Sequence, residues 1–199
     1  MKRLCHELSK AVSYCKIVFI SVIGVLVFYC EGCDLFRTRN PEEPEQSSAQ
    51  YVPPTEPSIV FENMKNAFSD KNEVNYLRSF VDDGFQFTPS SQASSEYSSI
   101  FLNWSKDNEG QYFTKLCSKY STVLVWTQLL ETSRTSSSTT VEAQYSITGL
   151  PNGDTAKGAS KFELETLSSQ LWAIKKWDDY DDTKSGKRSW SYVKATNSQ

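Results

Sequence analysis

The whole chain of 199 residues contains one histidine, His6, close to its start. Imidazole is the usual general base and a common metal ligand near neutral pH. Beyond residue 6, a Ser-His-Asp or Cys-His device and a His-bearing zinc site are therefore excluded. Cysteine is just as scarce where a fold could use it. Cys5, Cys15, Cys30 and Cys33 crowd the first 33 residues and Cys117 stands alone after them, so no disulfide can close within the body. No basic block occurs: past residue 33 the chain carries 17 basic and 22 acidic side chains. A mildly acidic body of this kind lacks the electrostatic footprint of a nucleic-acid binder. There is no Gly-rich phosphate loop and no nucleophile elbow. The acidic run DDYDD at 178–182 lacks the glycine-punctuated loop and distal Glu of a calcium site, so neither a metal nor a cofactor is expected.

A long apolar run is also missing. Ile17 to Cys30 is uncharged over 14 residues, short of the roughly twenty that span a bilayer and suited to the h-region of a signal peptide. Basic residues precede it (Lys2, Arg3, Lys10, Lys16), and CEGC closes it. Gly32-Cys33 resembles the end of a bacterial lipobox, with Cys30 and Glu31 in place of the usual aliphatic and small residues. The resemblance implies that residues 1–33 are a lipoprotein-type signal peptide and that Cys33 is the lipidated residue, the protein's membrane attachment. Residues 34–56 hold Pro41, Pro44, Pro53, Pro54 and four glutamates among few apolar side chains. Such a segment buries too little to fold and reads as a disordered, semi-stiff tether.

The folded part is expected over 57–196. Val60, Met64, Ala67 and Phe68 recur at helical spacing after Ser58. EVNYLRSF adds a second short apolar face through Val74, Leu77 and Phe80 or Val81, and FQFTP is a strand stopped by Pro89. Residues 90–99 read as loop. A third helix runs from about Trp104 through Cys117, with Cys117 a buried structural thiol.

After Lys119 the period becomes two. STVLVWTQLLETS is apolar on both faces and is expected as a central, doubly covered strand. TTVEAQYSITG places Val141, Ala143, Tyr145 and Ile147 on one face and polar residues on the other. KFELETL, LWAIKKWDDY and RSWSYVKA complete the set of strands, and Lys175-Lys176 breaks the alternation as a bulge would, letting Trp177 turn inward. Consecutive strands without intervening helices predict an antiparallel meander. The fold class is α+β, three N-terminal helices on a curved antiparallel sheet.

This order, carried by NAFSDKNEVNYLRSFVDDGFQF (66–87) and by Trp172, Ile174, Trp177 and Asp179 of LWAIKKWDDY, resembles the NTF2-like (SnoaL-like, cystatin-like) cone. The full layout resembles small bacterial envelope lipoproteins built on that fold. The resemblance implies a curved sheet around a pocket, with Trp104, Trp126, Tyr145, Trp172 and Trp177 as candidate lining. It implies no catalytic set here, because no Asp aligns to the interior: Asp82, Asp83, Asp154, Asp178 and Asp181 fall in turns or strand ends. The expected role is a lipid-anchored, non-catalytic domain at the cell envelope, facing the periplasm or exterior, that binds a small apolar ligand or a protein. The competing expectation is a SnoaL-like isomerase, dehydratase or cyclase with Asp or Tyr as acid or base.

Overall fold

The period-two segments form one five-stranded sheet in the computed structural model, which describes residues 51–198. The leader, Cys33 and most of the expected tether lie outside the described residues. The strands are β1 (Gln86–Thr88), β2 (Val123–Arg134), β3 (Ser138–Thr148), β4 (Ala156–Thr166) and β5 (Trp172–Asp181), in the order β1-β5-β4-β3-β2. Strands β2 to β5 make the expected antiparallel meander through short turns. At the far edge β1 pairs parallel to β5, with Phe87 opposite Trp177. The sheet is thus mixed, because helices and the three other strands separate β1 from β5 along the chain and no hairpin dictates its direction.

The bulge lies where the lysines interrupt the alternation. Glu163 faces Lys176 while Leu164 faces Ile174, so Lys175 is the extra residue of β5. One inserted residue restores the inward phase, and Trp177 is fully buried. On the other face Lys175 pairs with Glu165 at 3.1 Å and Lys176 with Asp178 at 3.0 Å.

Among the described residues five α-helices pack with the sheet: α1 (Pro57–Asp70), α2 (Glu73–Leu77), α3 (Ser91–Glu96), α4 (Lys106–Lys119) and α5 (Trp190–Thr196). Helix α1 starts at a proline, tolerated there because the first N–H groups have no helical partner. It stops at Lys71, whose left-handed φ of 53° directs its N–H back to the last carbonyls. Asn72 then caps α2 by accepting the N–H of Asn75 at 3.0 Å. Val60, Phe61, Met64, Ala67 and Phe68 form the buried face of α1. Among the described residues no helix is long and apolar enough to cross a membrane.

Five expectations change. RSWSYVK is helix α5, not a strand, and Trp190, Val193 and Lys194 occupy the i, i+3 and i+4 positions of its buried face. The segment 90–99 contains α3. In α2 the inward residue is Tyr76, while Val74 is 62% exposed. Strand β2 is an edge, not a centre: from Gln128 onward every residue is exposed, including Leu129 and Leu130. Finally, Tyr51–Glu56 are held to the domain. Val52 and Asn63 exchange hydrogen bonds of 3.1 and 2.7 Å, Pro54 accepts the Trp172 N–H at 2.8 Å, and Glu56 meets Arg134. Within the described residues the domain's contacts therefore extend back at least to Tyr51, whose ring meets the Arg78 guanidinium, six residues ahead of the expected boundary at 57.

Candidate functional site

The concave face of the sheet and the inner faces of α1, α2, α4 and α5 enclose an aromatic core with two polar clusters in it. Strand β3 supplies Tyr145 and β4 supplies Ser160. From β5 come Trp177 and Asp179, two positions apart on the same face. The Asp179 carboxylate, 2% exposed, accepts from four groups. Tyr145 Oη donates to Oδ1 at 2.8 Å and Ser160 Oγ at 3.1 Å. The N–H and hydroxyl of Ser191 donate to Oδ2 at 2.7 and 2.5 Å. Tyr145 Oη in turn accepts the Trp190 N–H at 2.6 Å, and Trp177 Nε1 donates to Ser160 at 2.9 Å. Burial pushes the Asp179 carboxyl above the usual carboxylate range, opposed by the Ser191 and Tyr145 donors.

The second cluster centres on Glu109, on the buried face of α4. Its carboxylate takes hydrogen bonds from Tyr76 Oη at 2.8 Å and Trp104 Nε1 at 2.7 Å, and a short one from Lys194 Nζ of α5. Lys194 is completely buried. Its ammonium lies over the Trp177 ring at 3.5 Å and the Phe87 ring at 3.6 Å, a desolvated cation–π arrangement. Burial pulls its pKa down to about 8, although Glu109 beside it acts to raise it. Burial likewise holds the hydroxyls of Tyr76, Tyr112 and Tyr145 well above their usual range.

Three of the five expected lining residues converge on one ring. Trp126, Tyr145 and Trp177 pack on Trp190 of α5 with centroids 5.8, 5.2 and 4.6 Å away. Trp104 sits by Glu109, with its ring 5.6 Å from the Lys194 ammonium. Trp172 lies apart, at the β5 start, beneath the Arg134 guanidinium. What these residues surround is helix α5: Trp190, Ser191 and Lys194 fill the space between sheet and helices and are each 0% exposed. The sequence marks Asp179 only as part of the fold motif with Trp172, Ile174 and Trp177, and no Asp is expected inside; strand alternation after the bulge instead buries it in the cone. Glu109 and Lys194 were not singled out from the sequence. Cys117 is buried as expected, and burial pushes its thiol up to about 11. No group of three or more His, Cys, Asp or Glu suited to a metal occurs among the described residues.

Outside the cone, a groove of about 330 Å³ crosses the opposite face of the sheet over Gln128, Leu130, Glu142, Gln144, Lys161 and Tyr180. A second cleft, of about 280 Å³, opens between Tyr120, the 151–156 turn and Tyr192 of α5.

No protein-family model matches this sequence, and no curated protein matches it. Solved structures do. The function-unknown protein Rv3472 from Mycobacterium tuberculosis superposes with a TM-score of 0.51 at 12% identity, covering 71% of this chain and 82% of that one. A Xanthomonas campestris protein, provisionally described as a calcium/calmodulin dependent protein kinase II association domain, gives 0.50 at 15% identity over 64% and 86%. A Nostoc punctiforme protein of unknown function with a cystatin-like fold gives 0.47 at 12% identity over 63% and 87%. The fold is that of the NTF2-like cone. At these identities the likeness shows the NTF2-like fold alone. Within it, this chain closes the cone with its own C-terminal helix.

Proposed function

We propose that the protein is a non-catalytic NTF2-like binding module, attached to the cell envelope through lipid on Cys33 and facing the periplasm or the cell exterior. Its small ligand or protein partner is met on the outside of the cone. The observation that carries this reading is the filling of the interior. Every hydrogen-bonding oxygen of Asp179 and Glu109 is engaged by the protein's own donors, and α5 occupies the volume that an apolar ligand would need. A reacting atom requires room within about 3 Å of the acid or base, and Tyr145, Asp179 and Lys194 are each at most 2% exposed.

The enzymatic reading draws on one observation, the Tyr145–Asp179 pair with its elevated carboxyl in apolar surroundings. It requires α5 to leave the cone, breaking the Ser191 and Lys194 contacts together. The test is native mass spectrometry of the full chain against a panel of small hydrophobic molecules, combined with metabolic labelling by an alkynyl fatty acid. The expected outcome is no stoichiometric hydrophobic adduct, and a label that disappears in Cys33→Ser. A one-to-one adduct lost on Tyr145→Phe would place a ligand in the cone and defeat the reading that binding takes place on its outside. A label that survives Cys33→Ser would defeat the anchor.

A further inference from the structure

The outer face of the sheet divides into two halves of different character. Over the β4–β5 bulge its charges are committed to one another: Glu165 with Lys175, and Lys176 with both Glu163 and Asp178. Toward β2 and the free end of β5 they are not. Two rows of side chains cross the strands there. In one, Leu130 faces Glu142 and Glu142 faces Lys161; in the next, Gln128 faces Gln144, Gln144 faces Ala159, and Ala159 faces Tyr180. Among the described residues, the side chains of Glu142, Lys161, Gln128 and Gln144 find no hydrogen-bond or ion-pair partner, although Glu142 and Lys161 stand directly opposite. Ala159, the smallest side chain in its row, forms a floor between the Gln144 amide and the Tyr180 ring, which is 48% exposed.

We propose that this groove binds an N-acetylated amino-sugar chain; the inference rests on the reading that the domain acts by binding on its outside. The chemistry of the lining selects that class. A peptide strand adds to a sheet through unpaired backbone groups, and those of β3 and β4 are consumed on both sides by neighbouring strands. Across the face of the sheet, as distinct from its free β2 edge, recognition therefore comes from side chains. Those present are two primary amides, one carboxylate, one ammonium, one phenol ring and one leucine, with no net charge. Each Gln offers both a carbonyl acceptor and an NH₂ donor, the complement of an acetamido N–H and C=O. The carboxylate and ammonium serve sugar hydroxyls as acceptor and donor. Tyr180 and Leu130 offer flat and aliphatic apolar surface to the C–H face of a pyranose ring and to an acetamido methyl. The groove volume falls at the lower end of ligand sites, which suits one short stretch of such a chain.

Titration calorimetry of the full chain in detergent with tetra-N-acetylchitotetraose tests this. Saturable binding is expected, weakened about tenfold or more by Tyr180→Ala and separately by Gln144→Ala, with cellotetraose, which lacks the acetamido groups, weaker by a similar factor. The two positions are on the sheet surface, and unchanged unfolding midpoints show that the variants fold. In the 5-fluorotryptophan-labelled protein, the ¹⁹F signals of Trp177 and Trp190 stay in place as sugar is added. No saturable binding with those signals unmoved overturns the sugar site alone. Equal affinity for cellotetraose, or unchanged affinity in both variants, overturns it too. Movement of the interior signals means that the ligand has entered the cone, which overturns both the site and the proposed function. A dimer in sedimentation that Tyr180→Ala dissociates assigns the face to a second copy and overturns the proposal.

Discussion

Glu109→Gln isolates the electrostatics of the cone. In the wild type, burial lowers Lys194 from 10.5 to about 8 while Glu109 holds it up. The folded pKa lies below the unfolded one, so between about pH 8 and 10.5 the folded protein binds fewer protons than the unfolded chain, and this group's contribution to stability rises with pH. Below that window the ammonium is a net cost of about 3 kcal/mol. Removing the Glu109 charge forces Lys194 to shed its proton on folding. At pH 7, neutralising a lysine of ordinary pKa costs about 5 kcal/mol, so the variant loses about 1 to 2 kcal/mol relative to wild type. Near pH 9 Lys194 is neutral in both folded proteins and the difference closes to almost nothing; toward pH 6 it widens by about 1 kcal/mol. Adding Lys194→Met, an unbranched side chain that suits the same channel, removes the remaining charge. The double variant is then more stable than wild type by about 1 to 3 kcal/mol at pH 7, as replaced buried pairs often are. Urea unfolding followed by the fluorescence of the buried tryptophans measures all three proteins across pH 6–9. A Glu109→Gln loss that is constant or growing with pH, or a double variant weaker than Glu109→Gln alone, would refute this account of the pair.

Three more outcomes follow from the same geometry. A Cβ on Gly158 would collide with the Tyr145 hydroxyl and lie 2.6 Å from the Tyr180 carbonyl oxygen; Gly158→Ala therefore lowers the unfolding free energy by about 1–3 kcal/mol, and an unchanged thermal midpoint would count against the packing described. Because burial raises the Asp179 carboxyl, its contribution is fully present below the ordinary value of 3.8 and is lost as pH rises through the raised value. Wild type minus Asp179→Asn should accordingly become less favourable from acid toward neutral pH, a trend that denaturation at pH 3.5–7 reads directly. Cys117, pushed up to about 11 by burial, should remain unmodified by a disulfide reagent at pH 8 and react only in urea, as peptide mapping at that position would show.

Part of the interior was legible in the chain and part was not. Trp177 turns inward after the bulge, and strand alternation alone then puts Asp179 on the same face; the signal existed at the level of a two-residue step. Glu109 shares the spacing of Tyr112, Phe113 and Leu116, the inward stripe of α4. A carboxylate on an apolar stripe carries no local mark of the partner that makes its burial tolerable, and that partner, Lys194, comes from 85 residues later. RSWSYVK alternates well enough for a strand; only docking against α4 and β5 selects the helix, since propensity yields to the burial of Trp190, Val193 and Lys194 on one side.

The α+β class, the antiparallel meander, the place of the bulge and the inward set Val141, Ala143, Tyr145 and Ile147 could all be read along the chain, because each follows from spacing between near neighbours. Only long-range packing decided that β1 joins parallel, that apolar β2 is an open edge, and that α5 lies buried inside the cone. Those outcomes depend on which distant segment reaches a surface first and satisfies its polar groups, and a buried ammonium between Trp177 and Phe87 exists only where such segments meet.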